Sequence, residues 1–270
     1  MKNINALSYR ISIIIPNYNG GKFIEGCLKS ILSQSYENYE IVIVDGKSTD
    51  TSHEIIEKYM TISEKIHWLK VDDMGISHAF NLGIKAAKWD FVLLLWSDDY
   101  LYPEILMKFW QFTTTISEFQ SADIHNSNFY CDSINYWSFE KKFIKRVPQT
   151  DVFTRSNLVR YGNISGFQNI YLNKKWFETY EINQKNKYSM DYECYFEMLQ
   201  AWQDFIHLPE INSINCLGEN TTCKYWYESQ KEANTISYKN WVSIVDYVFV
   251  FKRFLMREFL RILKVSKLVD

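Results

Sequence analysis

The sequence predicts an α/β chain built on a mostly parallel central sheet with helices on both faces. Three observations carry that prediction. Between positions 11 and 100, short apolar runs alternate four times with residues at helical spacing; each run closes on proline, glycine, serine or aspartate; and 270 residues suit one large domain, or a domain with a modest appendage, around a substantial core.

ISIII (11–15) reads as a buried strand closed by Pro16, and PNYNGG is dense in turn formers. Phe23, Ile24, Cys27, Leu28, Ile31 and Leu32 then recur at helical spacing up to SQSYEN. EIVIVD (40–45) is a second buried strand, stopped by Asp45 and Gly46. Ser48 or Thr49 stands where it can cap the following helix, whose inner face carries Ile55, Ile56 and Tyr59. KIHWLKV (65–71) is a third strand, GISHAFNLGIKAAK a third helix and DFVLLLW (90–96) a fourth strand, after which Pro103 opens another helix at its first turn. A sheet of this kind gathers its functional groups beyond the carboxyl ends of its strands.

The 30 basic and 32 acidic residues nearly cancel, which points away from nucleic acid as a partner. The balance is local, however: Lys252, Arg253, Arg257, Arg261, Lys264 and Lys267 face Glu258 alone. Five cysteines without CxxC spacing read as core residues in a reducing compartment. The first ten residues lack the apolar run and cleavage site of a secretory signal, and WVSIVDYVFVF is too short to span a bilayer. The expected localisation is cytoplasmic. Aromatic residues make up 17% of the chain, enough to furnish both a core and carbohydrate-stacking surfaces.

Asp45 follows the second strand and Asp98 and Asp99 the fourth, so all three belong to one crevice. Asp45 alone reads equally well as a turn former. Two adjacent carboxylates repel, and a hard divalent cation, Mg²⁺ or Mn²⁺, stabilises them while sharing its remaining sites with a substrate's phosphates. Neither GxGxxG after the first strand nor GxxxxGK[ST] occurs, the histidines have no zinc spacing, and no GxSxG is present.

The stretches IIIPNYNGGKFIEGCLKSILSQSYENYEIVIVDGKSTDTS and DDMGISHAFNLGIKAAKWDFVLLLWSDD closely resemble the GT-A glycosyltransferases of family 2, and residues 160–222 do so more loosely. The resemblance implies the GT-A fold with a C-terminal helical extension. It implies that Pro16, Asn17, Tyr18, Asn19 and Asp45 hold the nucleobase and ribose of a nucleotide-sugar, UDP-linked in particular. The segment carrying Asp73, Gly75, Ile76, Ala79, Asn81 and Gly83 would lie along that donor. The family's DxD motif falls on Trp96, Ser97 and Asp98, with Asp99 following; Asp98 and Asp99 would take the metal, Asp98 touching the donor as well. The first acid of the motif is Trp96 here, which leaves one or two carboxylates for the metal. His78 stands where many relatives carry aspartate.

KYSMDYECYFEMLQAW has the pattern of a helix packed on one face. On charge alone Asp191 suits the N-terminal turn of that helix. The resemblance makes Asp191 the base that takes the acceptor's proton, with Glu193 as alternate on the acceptor side. It also places Gln168, on a strand in GFQNIYLNKKWF, beside the acceptor and GENTT (218–222) over the product diphosphate.

The chain accordingly divides into a glycosyltransferase domain over 1–222, with a donor half at about 9–100 and an acceptor half at about 101–222, and a tail over 223–270. In the tail, Arg253, Arg257, Arg261 and Lys264 form one basic stripe, so residues 241–267 describe either a helix that lies on an anionic membrane surface or a solvated face packed on the domain. The function implied is an inverting transfer of a sugar to a saccharide or lipid-linked saccharide in surface polysaccharide assembly. Two alternatives stand beside it. A sugar-phosphate nucleotidyltransferase needs a glycine- and base-rich first loop, where NYNGGK offers Lys22; a non-catalytic nucleotide-sugar binding module would follow if Trp96 has broken the motif.

Overall fold

The computed structural model describes residues 9–119, 124, 127–137, 141–146, 148, 152–217, 225–240 and the single positions 248, 251, 252 and 255. The β-branched run forms β1 (Ile11–Asn17), buried along its whole length. It pairs in parallel with β2 (Tyr39–Asp45) and β4 (Phe91–Leu94), and β2 pairs in parallel with β3 (Ile66–Lys70). The register that sets Ile13 beside Ile41 runs on to set Asn17 beside Asp45, so two polar strand ends emerge together.

Side chains alternate across this sheet, as the period of two requires. Ile11, Ile13 and Ile15 join one core with α1 (Ile24–Leu32), α2 (Ser52–Ile62) and α4 (Ile105–Phe119). Ile14, Val42 and Val44 join a second core on the opposite face. That core takes in α3 (Ile76–Ala86), α5 (Arg155–Tyr161), α6 (Met190–Gln200) and, through Ile236, α7 (Trp226–Asn240). Gly83 lets α3 lie directly on the sheet, since a Cβ there would sit 2.2 Å from Cγ2 of Ile14.

The helices on both faces and the parallel arrangement of the first four strands agree with the expected GT-A architecture. Beyond β4 the sheet becomes mixed. β5 (Tyr100–Leu101), β6 (Ser127–Trp137), β7 (Lys142–Arg146), β8 (Ile170–Asn173) and β9 (Asp204–Leu217) extend it in the order β3-β2-β1-β4-β8-β6-β9-β5, with β7 paired to β6. β8 runs antiparallel to both β4 and β6, whereas β6 and β9 are parallel.

Three sequence expectations are corrected. Neither Ser48 nor Thr49 caps α2, because the helix starts at Ser52 and Ser48 is bonded to Asp45 instead. Pro103 lies in a turn ahead of α4, with Glu104 at φ 61°, and the helix opens at Ile105. The division at residue 222 does not separate a tail from a domain: α7 shares the second core, and its Ser237 hydroxyl lies 2.7 Å from the Tyr192 hydroxyl on α6. Mixed polar and small residues along α7 hid that buried face from a reading by hydrophobic pattern. Among the described residues no helix is long and apolar enough to cross a membrane. GENTT and the basic stripe from Arg253 to Lys264 lie outside the described residues.

Candidate active site

The carboxyl ends of β1, β2 and β4 open on a cleft of about 1190 Å³ that reaches across to the N-terminus of α6. β1 ends in the Pro16–Gly20 turn, in which Asn19 takes a left-handed φ of 51°, a conformation asparagine tolerates well. Pro16, Asn17, Tyr18 and Asn19 all line the cleft, and the Tyr18 ring is 58% exposed. Gly20 allows close packing here: a Cβ would stand 2.2 Å from Oδ1 of Asn17 and 3.0 Å from Oγ of Ser97, so those side chains would have to move. The same Asn17 Oδ1 is buried and has no hydrogen-bond donor among the described residues.

Asp45 lies beneath this turn and is fully buried. Its Oδ1 accepts from the Ser48 N–H at 2.9 Å and faces Nε2 of His53 at 3.0 Å. Its Oδ2 accepts from Nδ2 of Asn17 and from the Ser48 hydroxyl, both at 2.7 Å. Those four contacts use the lone-pair positions of the carboxylate. Asp45 therefore holds the Asn17 and Ser48 loops together, its carboxylate oxygens engaged within the protein beneath the cleft. Burial pushes its pKa up, but the bonds from Ser48, Asn17 and His53 outweigh burial and hold it below the ordinary carboxylate value.

Gly75, at φ 91°, opens α3 on the cleft wall. Asn81, expected along the donor, faces away: its side-chain amide donates to the Ile182 carbonyl and accepts from the Ile182 N–H, both at 2.8 Å. It clamps α3 to the loop that leads into α6. Ser77 assists by donating to the Asn186 carbonyl at 3.3 Å.

Asp98 lines the cleft, and partial burial raises its pKa. Asp99 is 3% exposed and accepts from the Cys216 N–H at 2.9 Å, which ties the strand end to β9. Burial, and then the charge of Asp98, push the Asp99 pKa well up against that one hydrogen bond. Trp96, at the position of the missing acid, lies edge-on to Phe80 at 5.1 Å and donates from Nε1 to Oε1 of Gln168 at 3.2 Å. Gln168 thus lines the cleft from a 3₁₀ turn (Phe167–Asn169) rather than from a strand.

Asp191 enters from the other side, in the first turn of α6. Asn163 donates to its Oδ2 at 2.5 Å, and the Tyr192 N–H donates to its Oδ1 at 2.8 Å. Glu193 does not reach the cleft: Asn183 and Asn186 donate to it at 3.0 and 3.3 Å, so it braces the 183–186 loop. The N-terminus of α6 is secured by a residue the sequence reading passed over. The Glu232 carboxylate on α7 accepts from the backbone N–H groups of Lys187, Tyr188 and Ser189 at 3.1, 2.8 and 3.2 Å. No motif marks Glu232; an acidic residue on a weakly amphipathic helix was the whole signal.

The cleft is electronegative. Asp73, Asp98, Asp99 and Asp191 line it together with Asp72, which is paired to Lys47, and among the described lining residues Lys187 supplies the one full positive charge. Among the described residues no group of three or more His, Cys, Asp or Glu is arranged to hold a metal by itself. The donor set of Asp98 and Asp99 fits a hard cation that a phosphate-bearing ligand would help to coordinate.

The family model for glycosyl transferase family 2 matches residues 12–173. The chain belongs to glycosyl transferase family 2. Among its relatives within and around this family, Glycosyltransferase GlyA of Streptococcus pneumoniae serotype 4 is 32% identical over 196 residues, 72% of this chain and 24% of that protein. The poly(ribitol-phosphate) beta-N-acetylglucosaminyltransferase TarS of Staphylococcus aureus is 36% identical over 100 residues, 36% of this chain and 18% of that protein. The chain thus spans about a quarter or less of the length of these two relatives. The crystal structure of S. aureus TarS 1-349 in complex with UDP-GlcNAc matches with a TM-score of 0.65 at 19% identity, over 93% of this chain and 72% of that chain. The mannosyltransferase PcManGT from Pyrobaculum calidifontis, in complex with GDP-Man and Mn²⁺, matches with a TM-score of 0.64 at 13% identity, over 91% of this chain and 68% of that chain. At these identities the fold is what is shared. The family match ends at residue 173, so Asp191 and Glu232 of this family 2 chain lie beyond it.

Proposed function

We propose that this chain transfers a sugar, with inversion, from a nucleotide-sugar to a saccharide or lipid-linked saccharide acceptor in surface polysaccharide assembly. The observation that carries the reading is that Asp98 and Asp191, from opposite halves of the sheet, line one cleft together with the N-terminus of α3. That helix end favours a diphosphate through its free N–H groups and dipole. Asn17 Oδ1, a buried acceptor without a partner among the described residues, favours a base that carries an N–H, as uracil does, and TarS has been crystallised with UDP-GlcNAc.

Asp98, with Asp99 behind it, would hold a divalent metal that supplies positive charge to the leaving diphosphate. Asp191, aimed by Asn163, takes the proton of the acceptor hydroxyl. The acceptor oxygen bonds to the anomeric carbon as the bond to the diphosphate oxygen breaks, and the bonding pair leaves with the diphosphate. One displacement inverts the configuration. Trp96 and Gln168 form the floor beside the reacting centre.

A panel of UDP-, GDP- and dTDP-sugars, with and without Mn²⁺, tests this by thermal stabilisation and slow donor hydrolysis. One donor should stabilise the protein when metal is present. Asp98→Asn should lose that stabilisation, while Asp191→Asn should keep it and lose turnover by about 10²–10⁴-fold. Stabilisation by no donor under any metal condition would defeat the reading. The basic stripe Arg253, Arg257, Arg261 and Lys264 supports attachment to the anionic inner face of the cytoplasmic membrane. Flotation of the full chain with phosphatidylglycerol vesicles at low salt, and release at high salt, is the expected result; indifference to the vesicles counts against attachment.

A further inference from the structure

The acceptor end of the cleft carries two aromatic rings that the mechanism above does not use. Tyr188, just ahead of α6, and Tyr225, just ahead of α7, have ring centroids 5.5 Å apart at an interplanar angle of 36°. Both line the cleft that holds Asp191. Tyr225 is 37% exposed. The pair is fixed from below: the Tyr188 N–H is held by Glu232 at 2.8 Å, and the neighbouring Ser189 hydroxyl donates to the Ser229 carbonyl at 3.1 Å, so α6 and α7 are locked at the point where the rings emerge. A half-exposed tyrosine pair on a rigid base presents an apolar face and two hydroxyls at small cost in conformational entropy.

The surroundings indicate what the platform takes. Asn163, Gln184 and Gln230 line the same end of the cleft, and amides both donate and accept, as sugar hydroxyls require. Asp191 beside the platform disfavours an acceptor that brings a phosphate up to it without a cation. The cleft's volume of about 1190 Å³ exceeds the roughly 300–1000 Å³ of a site for one small ligand, which leaves room for a second ligand beside a donor.

We propose that Tyr188 and Tyr225 form an acceptor subsite for an uncharged pyranose, which lays its C–H face on the rings and turns a hydroxyl toward Asp191. The proposal rests on the glycosyltransferase reading and deepens it by naming the acceptor class: a neutral sugar ring rather than a polyol phosphate.

The test is saturation-transfer NMR on the full chain with UDP and Mg²⁺, with methyl glucoside, methyl N-acetylglucosaminide and ribitol 5-phosphate as probes. At least one glycoside should receive saturation at its ring protons. Tyr225→Ala should weaken that glycoside about tenfold and Tyr225→Phe should retain it. Thermal stabilisation by UDP, recorded for every variant, checks folding and reports on the donor reading separately. The proposal is overturned if neither glycoside receives saturation, if Tyr225→Ala binds as well as the parent, or if ribitol 5-phosphate binds as tightly as the glycosides.

Discussion

Asp45 and Asp99 are both aspartates at buried strand ends, and their surroundings give them opposite behaviour. Asp45 receives four polar contacts and Asp99 one from the backbone, so the first stays ionised at lower pH than usual and the second resists ionisation. Asp45→Ala would strip Asn17 and Ser48 of their shared acceptor, and we expect a loss of about 3 kcal/mol in urea unfolding. The sign of the pH effect follows from the depressed pKa. The contribution of Asp45 is fully present above its unfolded value near about 3.9 and is lost as the pH falls through the lower folded value. The stability gap between parent and Asp45→Ala should therefore narrow on acidification below about pH 4; a constant gap from neutral to acid pH would contradict this role. The sequence located both residues at the crevice because strand ends are legible. It did not tell which carboxylates face inward, since that depends on partners such as Ser48 and Cys216 that only the fold supplies.

At the scale of elements, the strands were the most legible parts of the chain. Each apolar run from ISIII to DFVLLLW became a strand, with ends moved by one or two residues; β1, β2 and β4 are buried throughout, and β3 is only partly covered. α3 was legible for the same reason, but its contact with the sheet rests on one position. Gly83→Ala would place a Cβ against Ile14 and Val44, whose nearest atoms lie at 2.2 and 3.2 Å, so the helix must shift outward. We expect a loss of about 1–3 kcal/mol in urea unfolding and a weaker donor, because Gly75 and the cleft wall move with the helix. An unchanged unfolding midpoint would show that α3 is held elsewhere. The cap of α2 was misread because Ser48 had two possible uses, and bonding to a buried carboxylate prevailed over capping.

For the whole molecule, the donor half was readable from its own residues and the acceptor half was not. Strand–helix alternation stops near residue 100, and the later elements pair across long separations, as β6 does with β9. α7 is the clearest case. Removing residues 226–270 would take Ile236 from the second core, strip the Tyr192 hydroxyl of Ser237 and release three backbone N–H groups from Glu232. We expect Tm to fall by roughly 6–12 °C, on the order of 3 kcal/mol, with Asp191 no longer fixed. A truncated chain with the parent's Tm and turnover would contradict this packing. The Glu232 contacts also bear on the order of events at the ribosome. Domains form as the chain emerges, and the donor half, with its contacts close in sequence, can assemble early. Asn163 reaches the Asp191 carboxylate first, but the backbone leading into α6 is secured only after residue 232 has left the exit tunnel, more than forty residues behind Asp191. We expect a nascent chain stalled before that point to bind a donor without turning it over, with α7 setting a delay between folding of the first strands and activity.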